Sequence, residues 1–230
     1  MSTLYIVGTP IGNLEDISLR ALHVLSEVDV IFCEDTRVTG KLIKSRFDLS
    51  NRGSSIPTKS ESGHYKLKIF NAHSRMPDLS VYENIAYVTD AGTPGLSDPG
   101  ARLVELARRE GINVAVVPGP SALTSLISIS GQETKEFTFL GFLPHKKGRE
   151  TLLKEIALSK RPVVVYESSH RIIKLLEKLA SLCPEKKVII GRELTKKFEE
   201  VLEGTSASLL ALLQSSPLKQ KGEFTVLVTR

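Results

Sequence analysis

The sequence predicts an α/β protein built as two α/β domains. Three observations predict it. Short apolar runs alternate with helically spaced ones along the chain, the pattern of strands covered by helices. The 230 residues leave room for two compact domains of about 100 residues each. Pro118-Gly119-Pro120 breaks the pattern near the middle, where neither strand nor helix can continue. The expected division is an N-terminal domain over 1–117, a hinge at 118–120 and a C-terminal domain over 121–230.

Each element has its own reason. TLYIVG (3–8) reads as a buried strand, and Ile17, Ala21, Leu25 and Val28 then recur at helical spacing behind a candidate cap, Asp16. VDVIFC (28–33) and IAYVTD (85–90) are strands. ARLVELARRE (101–110) is a helix closed by Gly111, followed by the strand INVAVV (112–117). Beyond the hinge, 121–130 reads as helix, 136–142 as strand, 147–159 as an amphipathic helix and 162–167 as strand. Ser168 or Ser169 then caps a helix carrying Ile172, Ile173, Leu176, Leu179 and Ala180 on one face. KVIIGRE (187–193) is a strand, Thr205–Leu213 a helix and 222–230 a terminal strand. The alternation implies mostly parallel sheets. Residues 45–80, rich in Ser, Asn, Gly, Lys and Pro, read as a loop or irregular cover.

Composition narrows the function classes. Apolar residues make up 41%, enough for a core, yet no run approaches the ~18 apolar residues of a membrane span. MSTLYIVGTP lacks a basic region ahead of an apolar stretch, so no secretory leader is expected. Cys33 and Cys183 are too few and too distant for a disulfide framework or zinc cluster, and fit a reducing cytoplasm. His23, His64, His73, His145 and His170 are scattered without an H-E-x-x-H, so no metal is expected. Charge is uneven. Residues 1–117 hold 13 Lys+Arg against 14 Asp+Glu, a balance of −1; residues 118–230 hold 18 against 12, a balance of +6, with no aspartate. That asymmetry favours a polyanion docking mainly on the second half, beside the plainer reading of a solvated lysine-rich surface.

Six segments carry candidate chemistry. Gly8-Thr9-Pro10-Ile11-Gly12-Asn13 follows the first strand, where open α/β sheets bind ligands, but matches neither G-x-G-x-x-G nor a P-loop. Cys33-Glu34-Asp35-Thr36-Arg37 offers a carboxylate for a ribose hydroxyl, or a helix cap by Asp35. Asp90-Ala91-Gly92-Thr93-Pro94-Gly95-Leu96-Ser97-Asp98-Pro99-Gly100 is the sharpest. Three glycines and two prolines between strand and helix constrain several amides and carbonyls in one ligand-gripping loop. Pro118–Ala122, Tyr166–Arg171 and Gly191–Thr195 stand at strand ends, where each is equally readable as a capped junction.

Taken in order, GTPIGN, CEDTR, DAGTPGLSDPG, PGPSAL, GFLPHKKG, YESSHR, GRELTK and the closing KGE resemble the ribosomal RNA small subunit methyltransferase I family, of the tetrapyrrole methylase superfamily. The resemblance spans the chain except about 45–80, where the family's histidine-containing loop and helix give way to a short, proline-broken NAHSRMPDLSVYEN. Many relatives also carry a C-terminal extension beyond the point where this chain stops, at Arg230. The resemblance implies two α/β domains of the class III methyltransferase type with S-adenosyl-L-methionine in the inter-domain cleft. It implies a cytoplasmic homodimer, and 2′-O-methylation of a cytidine in the decoding region of 16S rRNA within the small ribosomal subunit. Ala91, Gly92, Thr93 and Pro94 should line the methionine part of the cofactor with backbone groups. Ser121 and Ala122 should lie near the adenosine, and Tyr166, Glu167, Leu194 and Thr195 should wall the adenine, with Gly222 and Glu223 weaker candidates. Gly8, Thr9, Pro10, Gly12 and Asn13 should face the methyl acceptor.

A ribose hydroxyl needs its proton removed, and a nearby general base contributes about 10²–10⁴-fold. The candidates are Glu34, Asp35, Glu193 and His170. Arg37 and Arg192 suit phosphate, and Lys146, Lys147, Arg149, His170 and Arg171 suit contact with the RNA backbone. The readings that compete are a tetrapyrrole-type small-molecule methyltransferase on the same fold, an NAD-dependent oxidoreductase and a non-catalytic RNA-binding module.

Overall fold

The computed structural model describes residues 2–47, 66–71 and 73–229. Most of the 45–80 loop expectation, and His64, therefore lie outside the described residues. The chain divides into two compact units, Met1–Ser121 and Ala122–Arg230.

The first unit is a five-stranded parallel sheet in the order β3-β2-β4-β1-β5. Its strands are β1 (Thr3–Val7), β2 (Val30–Cys33), β3 (Leu67–Ile69), β4 (Asn84–Val88) and β5 (Asn113–Val117). Strand alternation sorts the side chains. Leu4, Val30, Phe32, Ile85 and Tyr87 face one core, with Leu103 and Leu106 of α3 (Gly100–Arg109). Val7, Ile31, Cys33, Ala86 and Val88 face the other, with α1 (Leu19–Glu27) and Ile43 of α2 (Thr36–Phe47). Both faces are covered, so the strands read as unbroken apolar runs.

Two local expectations change here. Asp16 sits in a short 3-10 turn, Leu14–Asp16, and α1 is capped instead by Ser18, whose hydroxyl accepts from the Ala21 amide. Ser18 wins because it stands one residue before the first helical residue, where its oxygen meets a free amide. Strand β3 was not anticipated as an element, and helix α2 was anticipated only through the alternative that Asp35 caps a helix. Past β3 the segment to Tyr82 buries Phe70 and Leu79, and the Arg102 guanidinium pins it by donating to the carbonyls of Asn71 and Ser74.

The second unit holds a mixed sheet, order β6-β7-β10-β8-β9, from β6 (Thr138–Phe142), β7 (Val163–Ser168), β8 (Lys187–Arg192), β9 (Glu200–Thr205) and β10 (Glu223–Val228). Only β6 and β7 pair in parallel; β10 runs antiparallel between β7 and β8, and β9 antiparallel to β8. The expectation of a mostly parallel sheet therefore fails in this half. The terminal strand inserts into the middle, and β8 returns directly as β9 without a crossover helix. Strand β9 was not read from the sequence because only Leu202 of its six residues is buried. Its glutamates suit an exposed sheet edge.

Helices α5 (Arg149–Leu158), α6 (Ile172–Leu182) and α7 (Ser206–Ser215) bury Val163, Val165, Val188, Ile190, Val226 and Val228 on one face. Helix α4 (Ala122–Ile129) lies against β10. Neither Ser168 nor Ser169 caps α6; its N-cap is Arg171, with no side-chain cap bond. Both cysteines are buried and unpaired. Among the described residues no helix is long and apolar enough to cross a membrane.

Candidate active site

Parallel strands send their carboxyl ends to one edge, so the first unit's motifs converge although the sequence scatters them. The loops after β1, β2, β4 and β5 all leave this edge. Gly8 and Gly119 meet there. A Cβ on Gly8 would lie 2.7 Å from both Cα and N of Gly119, so two backbones touch where no side chain fits. Thr9 and Gly92 form an isolated two-residue bridge, exchanging N–H···O bonds of 2.9 and 3.1 Å. Gly92 has φ +85°, a left-handed geometry that suits glycine. The Thr93 hydroxyl donates to the Pro120 carbonyl at 3.0 Å.

This knot revises two expectations. Both backbone groups of Gly92 are committed to Thr9, so Gly92 shapes the loop rather than gripping a ligand by its main chain. Thr9 and Pro10 are buried, the Thr9 hydroxyl donating to the Thr89 carbonyl at 3.2 Å. Only Gly12 and Asn13 of that loop are exposed, and Asn13 accepts from the Glu15 amide. Asp98, which the sequence did not single out, organises the rest of the glycine-rich loop. Its two oxygens accept from the amides of Gly95 and Gly100 at 2.6 and 2.7 Å.

Three carboxylates stand together at the edge. The Asp90 amide donates to Glu34 Oε2 at 3.2 Å, and the Asp35 amide donates to Asp90 Oδ1 at 3.1 Å. Their proton affinities diverge. Desolvation raises Glu34; the Asp90 amide pulls back, and the charges of Asp90 and Asp98 push further up. Desolvation likewise raises Asp90. Asp35 is held down at about 2 by the Arg37 side chain and amide. Arg37 Nε and Nη2 lie 2.6–3.2 Å from its oxygens, and its amide at 2.8 Å makes Asp35 the start of α2. The capping reading of Asp35 therefore fits the geometry better than a role as base, and Arg37 is engaged with it. Asp90 is a further carboxylate that sequence reasoning missed; its signal was its place at the strand end, one residue before Ala91.

In the second unit β6, β7 and β8 point the same way, and β10 begins at the edge where they end. Tyr166–Arg171, Gly191–Thr195 and Gly222–Glu223 come together there. Alternation along β7 divides Tyr166 from Glu167: Val163 and Val165 face the helical core, and so does Glu167. Glu167 is 1% exposed and fully paired. Its Oε2 lies 3.0 Å from Arg149 Nη2, and its Oε1 3.2 Å from Arg171 Nε. The two guanidiniums also donate to the Leu143 and Pro144 carbonyls. Glu167 therefore cannot wall an adenine on Tyr166's side of the sheet. Arg149 and Arg171 are likewise committed to a buried ion triad rather than to phosphate.

Two more expectations yield to packing. The Arg192 guanidinium donates to the carbonyls of Lys221, Phe198 and Leu218 at 2.8–3.3 Å and lies beside Glu200, so it stitches three chain segments together. Glu193 Oε1 accepts from the Glu223 amide at 2.9 Å and from Lys196 Nζ at 3.1 Å. Burial pushes the Glu193 acid up, but those bonds and Lys196 outweigh it and leave it below the usual range. Glu193 and Thr195 are left-handed, with φ 51° and 65°. A Cβ on Gly222 would strike the Glu193 side chain at 2.6 Å. This loop is held in a sparsely populated backbone form, a mark of sites where the surrounding structure over-determines geometry. Leu194 is buried against Gly191, Lys146, Lys147 and His170 are exposed, and Tyr166 is half-buried. Among the described residues no three His, Cys, Asp or Glu side chains gather as metal ligands.

The two sheets and their carboxyl-edge loops define a class III methyltransferase fold. A solved cobalamin biosynthetic enzyme, cobalt precorrin-4 methyltransferase, matches it with a TM-score of 0.65 over 99% of this chain and 94% of that one, at 17% identity. The model of the tetrapyrrole (corrin/porphyrin) methylases matches residues 3–210. Among proteins named ribosomal RNA small subunit methyltransferase I, that of Borrelia garinii subsp. bavariensis is 45% identical over 99% of this chain and 98% of its own length. That of Leptospira biflexa is 42% identical over 98% and 90%. The chain belongs to the tetrapyrrole methylase family and, within it, to the ribosomal RNA small subunit methyltransferase I group.

Proposed function

We propose that the protein transfers a methyl group from S-adenosyl-L-methionine to a ribose 2′-hydroxyl of 16S rRNA, on a decoding-region cytidine of the small ribosomal subunit, as a cytoplasmic homodimer. The observation that carries the chemistry is Glu34. It is a half-buried carboxylate whose proton affinity is raised by desolvation, with Oε2 held by the Asp90 amide. A base of this kind takes a proton near neutral pH better than one held at about 2, as Asp35 is.

The residues fit the cofactor. The first unit's edge is anionic: Asp90 and Asp98 lie close enough to Glu34 to add their charges to the desolvation that raises it, and Arg37 nearby is paired to Asp35. A sulfonium donor carries positive charge and is favoured beside such carboxylates. At the first unit's edge, Ala91, Thr93, Pro94 and Ser121 would hold the donor. When bound, the donor supplies an activated methyl group on sulfur. Glu34 accepts the ribose proton, Asp90 orients Glu34 through its amide, and Asp98 holds the glycine-rich loop in shape. Lys146 and Lys147 hold phosphate without reading sequence.

Purified small subunits incubated with methyl-labelled S-adenosylmethionine should gain one ribose methyl on a decoding-region cytidine, located by mass mapping. Glu34→Gln should lower that transfer about 10²–10⁴-fold. Label appearing on porphyrinogens and not on small subunits would replace this reading with the small-molecule one.

A further inference from the structure

At the carboxyl edge of the second sheet, exposed aromatic rings sit beside lysines. Phe142 ends β6 and is 57% exposed. Its ring centroid lies 5.5 Å from that of Tyr166, tilted by 57°, and Tyr166 meets Phe139 edge-on at 5.0 Å. Phe142 is therefore braced from behind and open in front. The exposed Lys146 and Lys147 follow, on a loop whose entry is fixed by the two guanidiniums bonded to Leu143 and Pro144. After β8, on the same edge, Phe198 is 65% exposed with Lys197 Nζ 5.6 Å from its ring centroid. Strands β7 and β10 separate β6 from β8, so the ends of those two strands stand about 14 Å apart at the usual strand spacing, and Phe198 lies in the loop that leads from β8 to β9.

We propose that this edge is a docking surface for single-stranded RNA, with unpaired bases stacking on Phe142 and Phe198 and phosphates held by Lys146, Lys147 and Lys197. The inference rests on the rRNA reading and names the form of RNA the site takes. A duplex hides its base faces; exposed rings beside flexible ammonium groups suit splayed bases on a charged backbone. The +6 balance of residues 118–230 supplies the matching charge. A second copy is a poor occupant, because a two-fold contact would set one net-positive surface against another.

The chain has no tryptophan, so Phe142→Trp installs a single indole reporter. An unstructured single-stranded oligoribonucleotide should quench that indole, and the same strand annealed in a duplex should not. Phe142→Ala and Phe198→Ala should each weaken binding of the single strand about 5- to 150-fold, with unchanged thermal unfolding. Replacing Lys146 and Lys147 together by alanine should flatten the log–log salt slope by about 1.4. An unquenched indole, or full affinity in both phenylalanine variants of an enzyme that still methylates small subunits, overturns the surface. So does a Phe142→Ala protein that turns monomeric while binding RNA normally. Quenching of the Phe142→Trp indole beside a wild type that fails to methylate small subunits upholds the surface and removes the rRNA methylation reading instead.

Discussion

Glu34 and Asp35 are neighbours in the chain with opposite proton affinities, and the difference comes from what each touches. Burial lifts Glu34, while the Arg37 side chain and amide hold Asp35 at about 2. An acid raised by folding favours the native state at low pH, and that contribution fades as pH climbs through its folded value. Activity runs the other way, because methyl transfer needs the ionised carboxylate. The rate of the wild type should therefore rise with pH through the Glu34 titration, and the residual rate of Glu34→Gln should lose that limb. An unchanged limb in the variant would assign the base elsewhere, with Asp90 next. Asp35 works in reverse: its contribution to stability is present above the ordinary carboxylate range and lost as pH falls through about 2. The sequence showed two adjacent acids at a strand end and offered both a cap and a base for them. Which acid does which depends on the burial of Glu34 beside Asp90, 56 residues away in the chain, and on Arg37 engaging Asp35.

Elements were legible where their packing is local. The runs at 3–8, 85–90 and 112–117 became β1, β4 and β5 within two residues; β4 is apolar from Ile85 to Val88 because it is buried on both faces, while β5 keeps an apolar run at the sheet edge with Val116 exposed. Strands β3 and β9 were not legible, being edge strands with little to bury. Helix α5 shows a cap that periodicity cannot reveal. Lys186, from the turn before β8, is only 8% exposed and donates through Nζ to the carbonyls of Ile156 and Ser159 at 3.3 and 2.6 Å. A cation there satisfies carbonyls that the helix end leaves free. Lys186→Met keeps the buried stem and removes the donor. It should cost about 1–3 kcal/mol, measured as a shift in the urea midpoint at constant slope.

At the scale of the molecule, the described residues include two apolar clusters flanking the first sheet and one on the helical face of the second. Damage should stay where it is made. Glu167→Ala leaves two guanidiniums buried without their carboxylate, a loss of about 3–5 kcal/mol. Hydrogen exchange should then accelerate in β7, α5 and α6 while β1 and β4 keep their protection. Uniform loss across both units would mean that the cores unfold together.

Residue order alone determined the α/β class, the family resemblance and the excess of positive charge in the second half. These rest on local pattern and composition, which need no knowledge of distant contacts. Tertiary structure alone decided that Glu167, Arg149, Arg171 and Arg192 serve the scaffold, and that Asp90 and Asp98 belong with Glu34. A strand's alternation and a sheet's order set which side chains share a face, and both depend on partners far along the chain.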